Sequence, residues 1–174
     1  MLAQGDTINL RRLDPQDLIP FQAYRNDPTI AEMQGWERME DERALGFLSH
    51  MSKMPLFAAG EWTQIAIADA ATDHLLGDLG IHISEDQTEA ELGITLSAPA
   101  QGQGLGMEAC QLAFDLIFKE TIVRRIKVIT FSHNHAARAL IARLGLQQTD
   151  TWDIDIDGVR CTELEFAVER PKQG

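Results

Sequence analysis

Two hydrophobic periods alternate along the chain, and where one gives way to the other an element boundary is expected. Ile8-Asn9-Leu10-Arg11 reads as a first strand. Asp14-Pro15 follows as a helix cap with proline at the first helical position, and Leu18, Phe21 and Tyr24 or Arg25 carry that helix on. Asn26-Asp27-Pro28 breaks it, and Glu32 to Met39 looks like a flexible connection. Ala44, Phe47, Leu48 and Met51, spaced i, i+3, i+4, i+7, predict a second helix from about Glu40 to Lys53, which Pro55 ends.

The middle of the chain changes to period two. Ile65 and Ile67 alternate with Ala66 and Ala68. Leu79, Ile81 and Ile83 oppose Gly80, His82 and Ser84, and Ala90, Leu92, Ile94 and Leu96 oppose Glu91, Gly93, Thr95 and Ser97. Such alternation predicts an antiparallel meander. The helical period returns with an apolar stripe of Leu105, Ala109, Leu112, Ala113, Leu116 and Ile117, opposite a solvated stripe of Glu108, Gln111, Asp115 and Lys119. Arg125 to Phe131 reads as a buried strand. Ala137, Leu140, Ile141 and Leu144 mark a short helix stopped by Gly145. The chain closes on a hairpin turning at Asp157-Gly158. With no repeat, low-complexity stretch or linker, the expectation is one mixed α/β domain over residues 1–174.

Composition narrows the classes. The chain has 174 residues, 44% of them hydrophobic, enough for a real core. No apolar run approaches the ~20 residues of a membrane helix, and Met1 to Leu10 lacks the pattern of a signal peptide, so no membrane partner and a cytoplasmic location are expected. A net charge of −12 disfavours nucleic acid as a partner. Cys110 and Cys161 read as reduced, packed thiols. His133-x-His135 supplies too few ligands for a metal, and Asp153, Asp155 and Asp157 read as a solvated ladder, so no metal is expected.

The chemically informative stretch is Gln101-Gly102-Gln103-Gly104-Leu105-Gly106, between a strand and a helix. Three glycines remove Cβ atoms and let a ligand approach the backbone closely. The unpaired first-turn N–H groups of the helix, at the positive end of its dipole, can hold a diphosphate without lysine or arginine. A P-loop would need Gly-Lys-Ser/Thr, which is absent, and a dinucleotide fold would place the loop early in a parallel unit. A turn built only for packing is the alternative.

Gln101-x-x-Gly104-x-Gly106, followed about thirty residues later by Asn134-His135-Ala136-Ala137 and then Leu144-Gly145-Leu146, resembles the paired motifs of the GCN5-related N-acetyltransferases. The opening Ile8 to Arg12, Tyr24-Arg25-Asn26-Asp27-Pro28 and Ala90-Glu91-Leu92-Gly93-Ile94 are similar to the ribosomal-protein alanine acetyltransferase branch. The resemblance implies a mostly antiparallel sheet of about seven strands, splayed at the cofactor site and flanked by about four helices. It implies acetyl-CoA as co-substrate, with Gln101, Gly102, Gln103, Gly104, Leu105 and Gly106 around the diphosphate. Backbone groups of Ile94 and Leu96, with Asn134, would lie along the pantetheine arm. Asn134 also suits a plain helix cap.

By the same resemblance Glu91 is the candidate general base, with a solvent-facing strand carboxylate as the other reading. A protonated amine, with a pKa of about 10, must lose a proton before it can attack. The general acid of many relatives, a tyrosine, falls at Ile141. Tyr24 is the only tyrosine in the chain, and Ser84, Ser97 and His82 are weak substitutes. Trp36 and His82 are candidates for the acceptor pocket. The acceptor is expected to be a primary amine, on a small molecule or a peptide N-terminus, and a homodimer is expected from the resemblance alone. A module that binds acyl-CoA without turnover is the alternative function.

Overall fold

In the computed structural model, which describes residues 1–172, eight strands form one sheet in the order β1-β2-β3-β4-β5-β6-β8-β7. The strands are β1 (Ala3–Gln4), β2 (Ile8–Arg12), β3 (Trp62–Asp69), β4 (Leu75–Ile83), β5 (Glu89–Leu96), β6 (Arg125–Phe131), β7 (Gln147–Ile156) and β8 (Val159–Glu169). Every neighbouring pair is antiparallel except β5 and β6. Residues 173 and 174 of the expected domain lie outside the described residues.

The α-helices are α1 (Leu18–Arg25), α2 (Pro28–Gln34), α3 (Asp41–Lys53), α4 (Leu105–Glu120) and α5 (His135–Arg143). The expectation of about seven strands and about four helices is met by eight strands and five α-helices. The extra strand is the two-residue β1, too short to show a period. The extra helix is α2, where the break at Asn26-Asp27-Pro28 is real but lasts only as long as a cap. Asp27 accepts from the N–H groups of Thr29 (2.9 Å) and Ile30 (3.2 Å), and Pro28 takes the first helical position. Glu32 to Gln34 are therefore helical rather than flexible. Gly35, at φ 66°, ends α2 in the left-handed region.

Both faces of the sheet are covered. Ile65, Ile67, Leu79, Ile81, Ala90 and Leu92 pack with Ala109, Ala113, Ile117 and Ile141 from α4 and α5. Ala66 and Leu75 pack on the other face with Phe21, Tyr24, Ala44 and Leu48 from α1 and α3. This explains the alternation of large and small apolar residues in β3, where both faces are buried and only the size of the side chain changes. Glu108 leaves the solvated stripe expected for α4. It accepts hydrogen bonds from the N–H and hydroxyl of Thr7 and ties α4 to the start of β2.

Strands β4 and β5 come unusually close at Gly77, opposite Leu96. A Cβ on Gly77 would sit 2.1 Å from the Thr95 carbonyl oxygen and 2.9 Å from Leu96 Cα. Gly77→Ala should therefore force the strands apart. Overpacking of this kind costs about 1–3 kcal/mol, and at roughly 2–4 °C per kcal/mol for a chain of this size, calorimetry should show Tm lower by several degrees. An unchanged Tm would show that the pair can relax at no cost.

Candidate active site

Strand β5 ends its partnership with β6 early. The parallel register runs only through Glu89↔Arg125, Ala90↔Ile126 and Glu91↔Lys127. Beyond Glu91, β5 stays with β4 as far as Leu96, while β6 stays with β8 as far as Phe131. The side of β5 left open follows from its hydrogen bonds. Ser84 N–H donates to the Glu89 carbonyl (3.0 Å) and Ser97 N–H to the Leu76 carbonyl (2.8 Å), so odd-numbered residues bond to β4. Ile94 and Leu96 consequently turn their N–H and C=O groups toward the gap, with no strand opposite.

These backbone groups have no strand partner and are half-buried at the mouth of the gap. Two glutamine amides supply partners for the carbonyls: Gln34 Nε2 donates to Ile94 O (3.2 Å) and Gln101 Nε2 to Leu96 O (3.0 Å). Gln34 also reaches Thr95 Oγ1 at 2.9 Å, so the end of α2 is fastened to the lip of the gap.

The glycine loop closes the same space from the other end. Gly102 and Gly104 adopt φ 73° and 83°, and Gly104 caps α4 without any side-chain bond. The first-turn N–H groups of α4 therefore open onto a cleft of about 340 Å³ lined by Ile94, Leu96, Gln101, Gly102, Gly104, Gly106 and Asn134. Gly106 lies against Leu140, Leu96 and Ile94, which a Cβ there would meet at ordinary contact distances of 3.4, 3.6 and 3.7 Å. Asn134 caps α5, its Oδ1 accepting from Ala137 N–H at 3.1 Å.

Two loop residues stand apart from this cleft. Gln103 turns its amide to the Pro99 carbonyl (2.6 Å), and Leu105 packs against the core. The cleft also has a wall from α5, of which Ala139 and Arg143 carry no signal in the sequence motifs. Ala136, Ala139, Leu140 and Arg143 of α5 line it. They are spaced i, i+3, i+4, i+7, a second helical face beside the one read as core, and Arg143 adds a cation in reach of an anion held by the loop.

Glu91 occupies the apex of the gap. It is the last residue of β5 paired to β6, with Lys127 on one side and His82 on the other in register. Its carboxylate forms no hydrogen bond within the described residues. Burial pushes its pKa above the usual carboxylate range; Lys127 and His82 pull it back, and Glu165 and Glu163 add to the rise. His82 packs against Trp62, ring centroids 5.3 Å apart.

The other candidates lie elsewhere. Ile141 is sealed in the core at 2% exposure. Tyr24 is buried on the opposite face of the sheet, its hydroxyl donating to Asp78 Oδ2 at 2.5 Å. Burial first and the Asp78 charge second raise the Tyr24 pKa. Trp36 lies over Arg25, with the guanidinium carbon 3.6 Å from the ring centroid, and lines a different cavity from the glycine-loop cleft. His82 lines neither. Among the described residues no group of three or more His, Cys, Asp or Glu side chains is placed to hold a metal ion, and no helix is long and apolar enough to cross a membrane.

Residues 7–147 match the sequence model of the acetyltransferase (GNAT) domain. The uncharacterized N-acetyltransferase YoaA of Bacillus subtilis (strain 168) is 22% identical over 149 residues, covering 84% of this chain and 83% of that protein. Among solved structures, an acetyltransferase (GNAT family) from Bacillus anthracis superposes with a TM-score of 0.85 at 15% identity, over 96% of this chain and 97% of the other. A ribosomal L7/L12 alpha-N-protein acetyltransferase, solved in complex with coenzyme A, superposes at 0.78 with 16% identity over 95% of both chains.

The charges around Glu91 can be tested directly. Its carboxyl resonance, followed by NMR, should titrate above the ordinary glutamate range, and Lys127→Met should move the midpoint higher still because it removes the nearest cation. A midpoint in the ordinary range, or one that falls in Lys127→Met, would contradict this electrostatic reading.

Proposed function

Because the chain belongs to the acetyltransferase (GNAT) domain family, we propose that it transfers an acetyl group from acetyl-CoA to a primary amine by direct attack in a ternary complex. One observation carries the reading: a strand edge whose N–H groups have no strand opposite and a helix N-terminus without a side-chain cap open onto one cleft. The edge suits an extended arm with amide groups, and the helix end suits its diphosphate. Gly102, Gly104 and Gly106 give the diphosphate room, and Arg143 adds positive charge. Ile94 and Leu96 bond the arm, and Asn134, whose Oδ1 is occupied by its cap, offers its amide N–H groups.

The chain's own chemistry then concerns one proton and one carbonyl oxygen. Glu91 accepts the proton that the attacking ammonium must lose, directly or through water, and its raised pKa suits that task better than an ordinary carboxylate would. A backbone N–H at the gap stabilises the oxyanion as the N–C bond forms and the C–S bond breaks. With Ile141 in the core and Tyr24 bound to Asp78, no tyrosine protonates the sulfur, and CoA departs as the thiolate. The motifs around Tyr24 to Pro28 and Ala90 to Ile94 favour the ribosomal-protein alanine acetyltransferase-like branch and hence a peptide N-terminus as acceptor. The buried Ile141 also favours a second reading, an acyl-CoA-binding module without turnover. Thiol release on adding amines separates the two.

Acetyl-CoA should raise Tm, since a ligand that binds only the folded state stabilises it. Gly104→Val, which forces a branched side chain onto a left-handed backbone at the loop, should abolish that rise. A folded Gly104→Val protein with the full rise would remove the loop from the cofactor site.

Glu91→Gln should lower kcat by about 10²–10⁴ near neutral pH with acetyl-CoA affinity nearly intact. In the native enzyme the rate should fall as pH drops through the raised pKa of Glu91, because the base is lost when it is protonated, and this loss should begin at higher pH than for an ordinary glutamate. In Glu91→Gln, higher pH should recover part of the rate by deprotonating the amine in solution. A raised amine KM with unchanged kcat would make Glu91 a counter-ion instead.

A further inference from the structure

A second cavity contains a buried cation without a bonding partner. Arg25, the last residue of α1, is only 6% exposed. It forms no hydrogen bond or ion pair among the described residues; its Nε and Nη1 are sealed from solvent with no acceptor, which leaves Nη2 as the guanidinium nitrogen that the cavity reaches. Trp36, Phe21 and Phe47 surround the guanidinium, with centroids 3.6, 5.2 and 5.6 Å from Cζ. Aromatic faces stabilise the charge, yet they leave the in-plane N–H edges unused. Asp78 does not take them, since one of its oxygens accepts from Tyr24 and it forms no ion pair with Arg25. An unsatisfied buried charged group is costly, so an arginine held this way has need of an acceptor.

The surroundings indicate which acceptor. Arg25 lines the cavity with Trp36, Glu37, Met39, Arg43 and Phe47. Arg43, exposed on α3, is a second guanidinium without an ion pair among the described residues, and Glu37 is the one carboxylate in the wall. Two arginines, against Glu37 in the wall and the buried Asp78 behind it, make this face far less acidic than a chain of net charge −12 is as a whole. Nη2 of Arg25 offers a carboxylate oxygen a charge-assisted hydrogen bond, and Arg43 offers the same carboxylate a second. A phosphate dianion would bring twice the charge toward Glu37 and the nearby Asp78.

The cavity is also tied to the proposed acetyl-transfer site. Trp36 follows Gln34 by two residues, and Gln34 holds the Ile94 carbonyl at the gap. Asp78, beside Arg25, faces Thr95 in register. Thr95 lies four positions beyond Glu91 on β5, roughly 13 Å along the strand at 3.3 Å per residue. The amine and carboxylate of a free α-amino acid are far too close together to reach both points. An extended peptide reaches both if the acidic side chain lies one or two residues after its terminus.

We propose that the Arg25–Trp36–Arg43 cavity binds an acidic side chain of the acceptor, so that the acceptor is a peptide N-terminus with Glu or Asp at its second or third position. This inference rests on the acetyl-transfer reading for the role of the peptide but not for the cavity itself. The test uses amidated tetrapeptides with a free N-terminus, matched in pairs with Glu or Gln at position two or three. Binding is measured by calorimetry with CoA present, and acetylation by thiol release with acetyl-CoA.

The better Glu peptide should bind at least tenfold more tightly than its Gln partner. Arg25→Gln should erase that preference and Arg43→Gln should reduce it several-fold. Arg43 is exposed, so its variant decides the matter should Arg25→Gln not fold. Equal binding of both peptides, no binding of either, or a preference that survives in Arg43→Gln and in any folded Arg25→Gln would overturn the proposal. So would displacement of the Glu peptide by inorganic phosphate at concentrations where acetate has no effect. Glu-selective binding without thiol release would sink the acetyl-transfer reading and leave the cavity assigned; thiol release with no Glu preference would do the reverse.

Discussion

The parting of β5 from β6 after Glu91 is the constraint on which the rest of the site depends. A strand buried within a sheet normally spends its N–H and C=O groups on both neighbours. Here β5 keeps one neighbour for its full length and the other for three residues. The groups of Ile94 and Leu96 must then be met by side chains or by a ligand. The two glutamine amides that meet the carbonyls come from opposite directions, one from α2 and one from the glycine loop. The parting thus draws both the loop and α2 to the same edge. It also leaves Glu91 at the apex, inside enough protein to resist ionisation and beside Lys127 and His82, which limit that resistance.

An acidic chain can hold anions only where it presents local positive charge, and the fold does so in two ways. At the glycine loop the charge is the partial charge of uncapped N–H groups, which needs no basic side chain and is insensitive to the net charge of the surface. At Arg25 it is a full charge, held in place by aromatic rings rather than by a carboxylate. The difference matters for specificity. Backbone N–H groups accept many anionic shapes, whereas a guanidinium fixed on a tryptophan face offers one plane and one set of directions.

Most of the fold was legible because the elements carry their own periods. The helix expected at Glu40 to Lys53 begins at Asp41, and the strand expected at Arg125 to Phe131 has those bounds. Asp14-Pro15 was read as a cap, and Asp14 does accept from Gln16 N–H at 2.9 Å. Asp27-Pro28 has the same two residues in the same order, yet it reads as a break because it directly ends another helix; a cap and a break look alike when the connection is one or two residues long. The glycine loop was legible because its chemistry is local. Arg143 and Arg25 were not singled out. The first lies on a face of α5 that differs by one residue from the core face. The second owes its character to Trp36, Phe47 and Asp78, which fold brings together from three other segments and no spacing can announce.

The two halves of the proposed site share one element. Gln34, the last residue of α2, holds the Ile94 carbonyl, and Trp36, just beyond the Gly35 cap, lies on Arg25. A ligand group that donates to Ile94 must share that carbonyl with Gln34 or displace it, and Gln34 then keeps its bond to Thr95 Oγ1 (2.9 Å). The same end carries the aromatic wall of the Arg25 cavity. Gly35, at φ 66°, is the joint between them, and any other residue there would be strained. The edge of β5 and the second cavity are therefore bordered by three consecutive residues, Gln34, Gly35 and Trp36.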